Sequence, residues 1–207
     1  MARAGLTRET VLDAAMALAD RDGLDALSMR RLAGDLGVEA MSLYNHVSSK
    51  KDLHAGLIDL VWGEVDTALD EPDWRAGLHR LCGSAHRALL RHPWFFRLSL
   101  MDAGAARLGV IEATLAHLDR GGVSAGTAFH ALHVLDGHVY GYSWQAIQFA
   151  PMDTPLDVLD ETLAALGAYP RLAEHARQHL DAHPGGDGFE MGLNLLLDGL
   201  ARASVHD

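Results

Sequence analysis

Between residues 40 and 50 the sequence sets out a row of side chains able to donate and accept hydrogen bonds: Ser42, Tyr44, Asn45, His46 and Lys50. A hydroxyl, a phenol, an amide and an imidazole can bond base edges or phosphate oxygens, and Lys50 adds a cation. Ala40 and Met41, beside them, make only apolar contacts, for example to a thymine methyl. The chemistry on offer is recognition of DNA, not bond making. Lys50 and Lys51 are the only lysines in the chain, and both stand where a helix opens, a place whose backbone N–H groups already favour phosphate.

Other side chains suggest other chemistries. Thirteen histidines invite a metal reading. His130, His133 and His138 fall within about 140° of one helix, with Asp136 near, but no His-x3-His pair on one face supports them. No protein-bound metal and no cofactor is expected. Catalysis has no motif either: there is no Gly-rich phosphate loop, no G-x-S-x-G elbow and no paired acidic motif at a strand end. A ligand cavity has better material. His130, His133, Tyr140, Trp144 and Gln148 share one side of a long helical stretch, and Trp94, Phe95, Phe96 and Met101 form an aromatic-rich cluster. Together they can line a mostly apolar pocket with a few polar orienting groups, although the same aromatics also read as plain core.

Two short helices joined by a tight turn must hold the DNA-facing row. Ser28 is placed to N-cap the first, where a hydroxyl accepts an orphan backbone N–H. Leu32, Ala33 and Leu36 give it an apolar face, and Gly37 suits the left-handed residue that ends a helix. The second helix is expected over about Glu39–Val47, with Val38 and Leu43 inward. Ser49-Lys-Lys-Asp52 then reads as a capping-box-like start to the next helix. The arrangement is that of a helix-turn-helix, whose second helix enters a major groove. Pattern alone leaves a chance arrangement open, and also a protein-interaction adaptor whose helix-turn-helix does not bind DNA.

Leu27–Leu53 closely resembles the signature of the tetracycline-repressor family of bacterial regulators. The resemblance rests on Arg-Arg-Leu-Ala, Leu-Gly-Val at the turn, Leu-Tyr-x-His-Val and the following Lys. Farther on, His133–Tyr142 and Phe189–Leu200 resemble stretches of the tetracycline-repressor-type C-terminal domain. The resemblance implies an all-α chain with an N-terminal three-helix DNA-binding domain (1–50) and a C-terminal helical ligand-binding and dimerisation domain (51–207). It implies a homodimer on a palindromic double-stranded operator, most simply a repressor, released by a small-molecule effector. By correspondence Ser28 and Arg30 open the DNA contacts, Ala40, Met41, Ser42 and Asn45 face bases, and Tyr44, His46 and Lys50 grip phosphates. Asn45 stands where the tetracycline repressor has a bulky aromatic, so its operator does not carry over.

Charge and the remaining chain agree with this division. The net charge is −11, of which residues 1–55 hold only −1, from seven Lys/Arg against eight Asp/Glu. DNA contact then relies on a few placed cations (Arg3, Arg8, Arg30, Arg31, Lys50 and Lys51), and the acidic body suppresses non-specific binding. No apolar run of ~18 residues spans a membrane. The N-terminus lacks the apolar centre of a signal peptide, and the single Cys82 suits a reducing cytosol. Helices are expected over 7–22, from Ser49 to just before Glu71, over 73–91, 105–119, 124–149 and 188–203. Leu135, Val139, Tyr142 and Ala146 recur along one of them, and Phe189, Leu193, Leu196 and Leu200 along another. Such a narrow seam is helix packing on helix, read here as a four-helix dimer interface, with burial inside one subunit as the alternative.

Overall fold

Thr7 opens the first helix because its hydroxyl accepts the Thr10 N–H at 3.1 Å while the Thr10 hydroxyl accepts the Thr7 N–H at 2.9 Å. The same local logic starts three others: Ser28 accepts from Arg31, Ser49 from Asp52, and Asp73 from Ala76. The computed structural model describes residues 5–98, 104–148, 166–181 and 188–203. Arg3, Met101, Phe149, the stretch 151–165 and Pro184–Gly186 lie outside the described residues.

Among the described residues there are nine α-helices and no strand: α1 (Arg8–Asp22), α2 (Met29–Leu36), α3 (Ala40–Leu43), α4 (Lys50–Gly63), α5 (Trp74–Arg91), α6 (Ala105–Arg120), α7 (Ala125–Gln148), α8 (Pro170–Asp181) and α9 (Gly188–Ala203). Short 3-10 turns lie at Leu24–Ala26, Pro93–Arg97 and Leu166–Ala168. The all-α expectation holds. The first helix buries Val11, Leu12, Ala15, Leu18 and Ala19, the stripe its periodicity predicts.

Two helices end earlier than the pattern implies. α3 is one turn long, because the Tyr44, Asn45 and His46 N–H groups tighten onto Met41, Ser42 and Leu43 carbonyls, three residues back. α4 stops at Gly63, not before Glu71, since Glu64 is taken by Arg91 and His92 at the far end of α5 and the chain turns there. Val65, expected on that helix, is buried in the loop beyond it. Near the end of α5, Leu89 is buried and its neighbour Leu90 is exposed.

Layering follows from which faces are apolar. α1 packs on α2 and α4, α4 on α5 and α6, and α5 on α6, α7 and α9, with α7 also against α6 and α9. α4 therefore belongs to both ends of the molecule. Its Gly56 lies so close to Leu12 of α1 that a Cβ there would overlap that side chain. At its other side Asp59 accepts the Ala106 N–H at 2.8 Å, capping α6.

Candidate nucleic-acid interface and core cavity

Leu43 and Val47, both fully buried in the core, pin the chain after Gly37 against α2. Gly37 makes the turn at φ 65°, ψ 34°, a left-handed conformation that favours glycine. What remains outward is the row singled out by chemistry. Met41 is 73% exposed and Tyr44 44%, with Asn45 exposed and Ala40, Ser42 and His46 half-buried beside them. Lys50 is exposed at the first position of α4 and Arg30 near the start of α2, and neither enters an ion pair among the described residues. Ser28 is exposed too, but its hydroxyl is engaged as the α2 cap.

Two of the cations expected to serve DNA are already engaged. Arg8 holds Asp52 with both guanidinium nitrogens, at 2.6 and 3.1 Å, and also donates to the His46 carbonyl at 3.0 Å. Arg31 pairs with Asp22. The Arg8 hydrogen bonds, with the Ser48 N–H, hold the Asp52 carboxyl down at about 2. Arg8 thus fastens the segment that carries His46 and Lys50, fixing the reading surface from behind.

A second set of contacts ties this end to the body. His92, 5% exposed, has Asp20 of α1 at 2.7 Å from Nδ1 and Glu64 at 3.0 Å from Nε2. Trp94 donates its indole N–H to the same Asp20 at 2.6 Å. Arg97 pairs with Asp25 on the surface nearby.

The expected pocket lining does not come together. Trp94 is locked to Asp20, and Phe95 is fully buried, edge-on to Trp62 at 6.0 Å. His130, His133, Trp144 and Gln148 are exposed, because they lie on the face of α7 turned away from α5. Of the α7 residues only Tyr140 points into the centre, where it stacks with Phe95 and lies edge-on to Trp62. There it meets residues that sequence reasoning missed. Arg107 of α6 is buried, lies 4.3 Å from the Trp62 ring centroid, and pairs with Asp136 of α7. A small cavity of about 10 Å³, lined by Trp62, Cys82, Arg107, Thr114 and Asp136 among others, sits where α4 to α7 meet. Cys82 is a neutral wall of it, its thiol pushed up to about 12 by burial.

Comparison with known proteins decides what this arrangement belongs to. Residues 11–56 match the model for bacterial regulatory proteins of the tetR family, and residues 67–203 match the tetracyclin repressor-like C-terminal domain. The chain belongs to the tetracycline-repressor family. Its relatives include the transcriptional repressor DrrR1 of Streptomyces coeruleorubidus, 30% identical over 94% of this chain and 77% of that one. Apo ActR of Streptomyces coelicolor superposes with a TM-score of 0.81 at 28% identity, covering 99% of each chain. ActR in complex with actinorhodin gives 0.79 at 28% identity, over 97% and 99%. The chain is accordingly a DNA-binding transcriptional regulator of a family that works as dimers, not an enzyme. Among the described residues no helix is long and apolar enough to cross a membrane.

For a dimeric family regulator the seam residues need a correction. Leu135, Val139, Phe189 and Leu193 are at most 5% exposed within the single chain, so they are its own core and are not open to a second copy. Tyr142 and Ala146 are half-buried, whereas Leu196 and Leu200, half-buried as well, line the open groove between α7 and α9. The open apolar face starts at these two leucines and continues round both helices. Val134 and Leu195 are 50% and 66% exposed, and with His130, Gly199 and others they line a groove of about 270 Å³ between α7 and α9. Gly137, Gly141 and Gly199 lie on these helices with open space where a Cβ would be. Gly192, in contrast, is held inside the subunit against His138.

Proposed function

We propose that the chain is a cytoplasmic repressor that binds a palindromic operator as a homodimer through α3 and releases it when an effector enters the body. The observation that carries this is the exposed row Met41, Tyr44 and Asn45 on a turn whose other side is buried, next to Lys50 at the opening of α4. Ser28, Arg30, Ala40, Met41, Ser42, Tyr44, Asn45, His46 and Lys50 form the DNA-contacting set. Residues 1–50 act as the reading domain and 51–207 as the regulatory one. The exposed face of α7 and α9 packs on its copy, where glycines admit close backbone approach.

Trp62 on α4 supports a route for the signal, since it touches the core cavity on a helix that also packs on α1. An effector that displaces Trp62 shifts α4 and, with it, the separation of the two reading turns. Moving occupancy from 99:1 to 1:99 takes about 5.5 kcal/mol of preference for the released state.

Selection of bound duplexes from a random pool tests the reading. An enriched palindrome with half-sites about one helical turn apart is expected. Lys50→Ala should weaken binding on all sequences and flatten the salt dependence by about two units of slope, one for each protomer. Tyr44→Ala should weaken it as well. No enrichment, or binding indifferent to both changes, moves the weight to a protein-interaction adaptor.

A further inference from the structure

A charge in the middle of the body stands where apolar packing would serve stability at least as well. The Arg107 side chain is 10% exposed and is fixed by two ring faces, its guanidinium 4.3 Å from the Trp62 centroid and 5.8 Å from that of Tyr140. Its partner is held less firmly. The Asp136 side chain keeps 33% of its surface exposed, with His133 on the same helix toward solvent. Burial pushes the Asp136 carboxyl above its ordinary range even with the guanidinium beside it. The cation is the permanent fixture of the cavity, and the carboxylate is the replaceable part.

We infer that this cavity selects aromatic acids as effectors: the ligand carboxylate takes the place of Asp136 on Arg107, and its ring packs against Trp62, Val110, Leu135 and Val139. The assignment takes the chain as a ligand-responsive regulator and names the class of its ligand. The present volume of about 10 Å³ admits about one water, so a ring enters only by moving something. A neutral aromatic leaves the Arg107–Asp136 pair in place and gains no room. A cationic one must sit beside Arg107. An acid compensates Arg107 itself and frees Asp136 to turn toward water, which opens the contact between α6 and α7 and bears on Trp62 of α4.

The test uses the full chain and two probes of nearly equal shape, 2-naphthoate and 2-naphthamide, titrated calorimetrically. The acid is expected to bind about tenfold more tightly than the amide or better. Asp136→Asn, which removes the internal competitor, should strengthen the acid and leave the amide unchanged. Arg107→Gln should abolish the preference, and circular dichroism melting checks that each variant is folded. Equal binding of acid and amide by the wild-type chain, or binding of neither at millimolar concentration, would overturn the inference. Operator selection separates the two claims. Specific DNA binding without acid preference leaves the regulator and removes this site; acid preference without DNA binding does the reverse.

Discussion

His86 shows how one side chain acquires a solution behaviour from its packing. Its Nδ1 lies 2.7 Å from the Ser143 hydroxyl, whose own proton goes to the Val139 carbonyl at 2.6 Å, so the imidazole donates in that pair. A serine so engaged and fully buried is no nucleophile. The ring also stacks on Phe189, with centroids 4.1 Å apart. Burial first, then the nearby His138 and Arg87, lower its pKa from 6.5 to about 4. The folded chain therefore binds this proton less readily than the unfolded one. Its contribution to stability is full above about 6.5, declines as pH falls toward about 4, and is level below that. The melting temperature should fall across that window. His86→Phe, which keeps the stack, should remove that part of the slope; an unchanged slope would show that another group sets it. Asp52, whose carboxyl is held at about 2 against an ordinary 3.8, acts in a lower window, losing its contribution as pH falls through that range. Caps such as Thr7, Ser28 and Ser49 were legible in the sequence because the partner is three residues away. Arg107–Asp136 and His86–Ser143 were not, since their partners lie 29 and 57 residues off and only the packed helices bring them together.

At the scale of elements, α1 and the 3-10 turn after it are joined to the body by two contacts of unequal weight. Asp20 accepts from the buried His92 and from the Trp94 indole. Asp25 meets Arg97 in the open, with side chains 81% and 56% exposed. Asp20→Ala leaves two buried donors unanswered and should lower unfolding stability in urea by about 1–3 kcal/mol. Asp25→Ala should leave it almost unchanged, as loss of a solvent-exposed pair does. Equal effects would mean that the buried triad adds nothing beyond a surface pair. The position of each helix was readable from its caps and apolar spacing. The ends of α3 and α4 were not, because apolar residues continue past both: Val47 and Val65 are buried in non-helical chain. A buried residue after a helix keeps the periodic pattern alive without extending the hydrogen bonds.

For the whole molecule, α7 lies between its own core and an open surface, and it is apolar toward both. A periodicity argument finds such a helix amphipathic in two directions and cannot rank them. That is why Leu135 and Val139 looked like an intermolecular seam, while the exposed Val134 and the unfilled positions at Gly137 and Gly141 mark the other side. Leu195→Glu places a charge in the groove between α7 and α9. It should halve the mass in sedimentation, keep the helical circular dichroism and cost operator binding, because a single reading turn meets only half a palindrome. A dimer that survives the change would place the interface elsewhere.

The one-turn α3 has a consequence for descent as well as for binding. Leu43 and Val47 fasten it, and Met41, Tyr44 and Asn45 take no part in the core. A duplicated copy can exchange those three outward side chains and acquire a new genomic address while its folding stays as inherited. The core cavity can drift on its own schedule, since no residue lining it lies in α3. Address and trigger are separately heritable, and a lineage built on this plan can pair them anew.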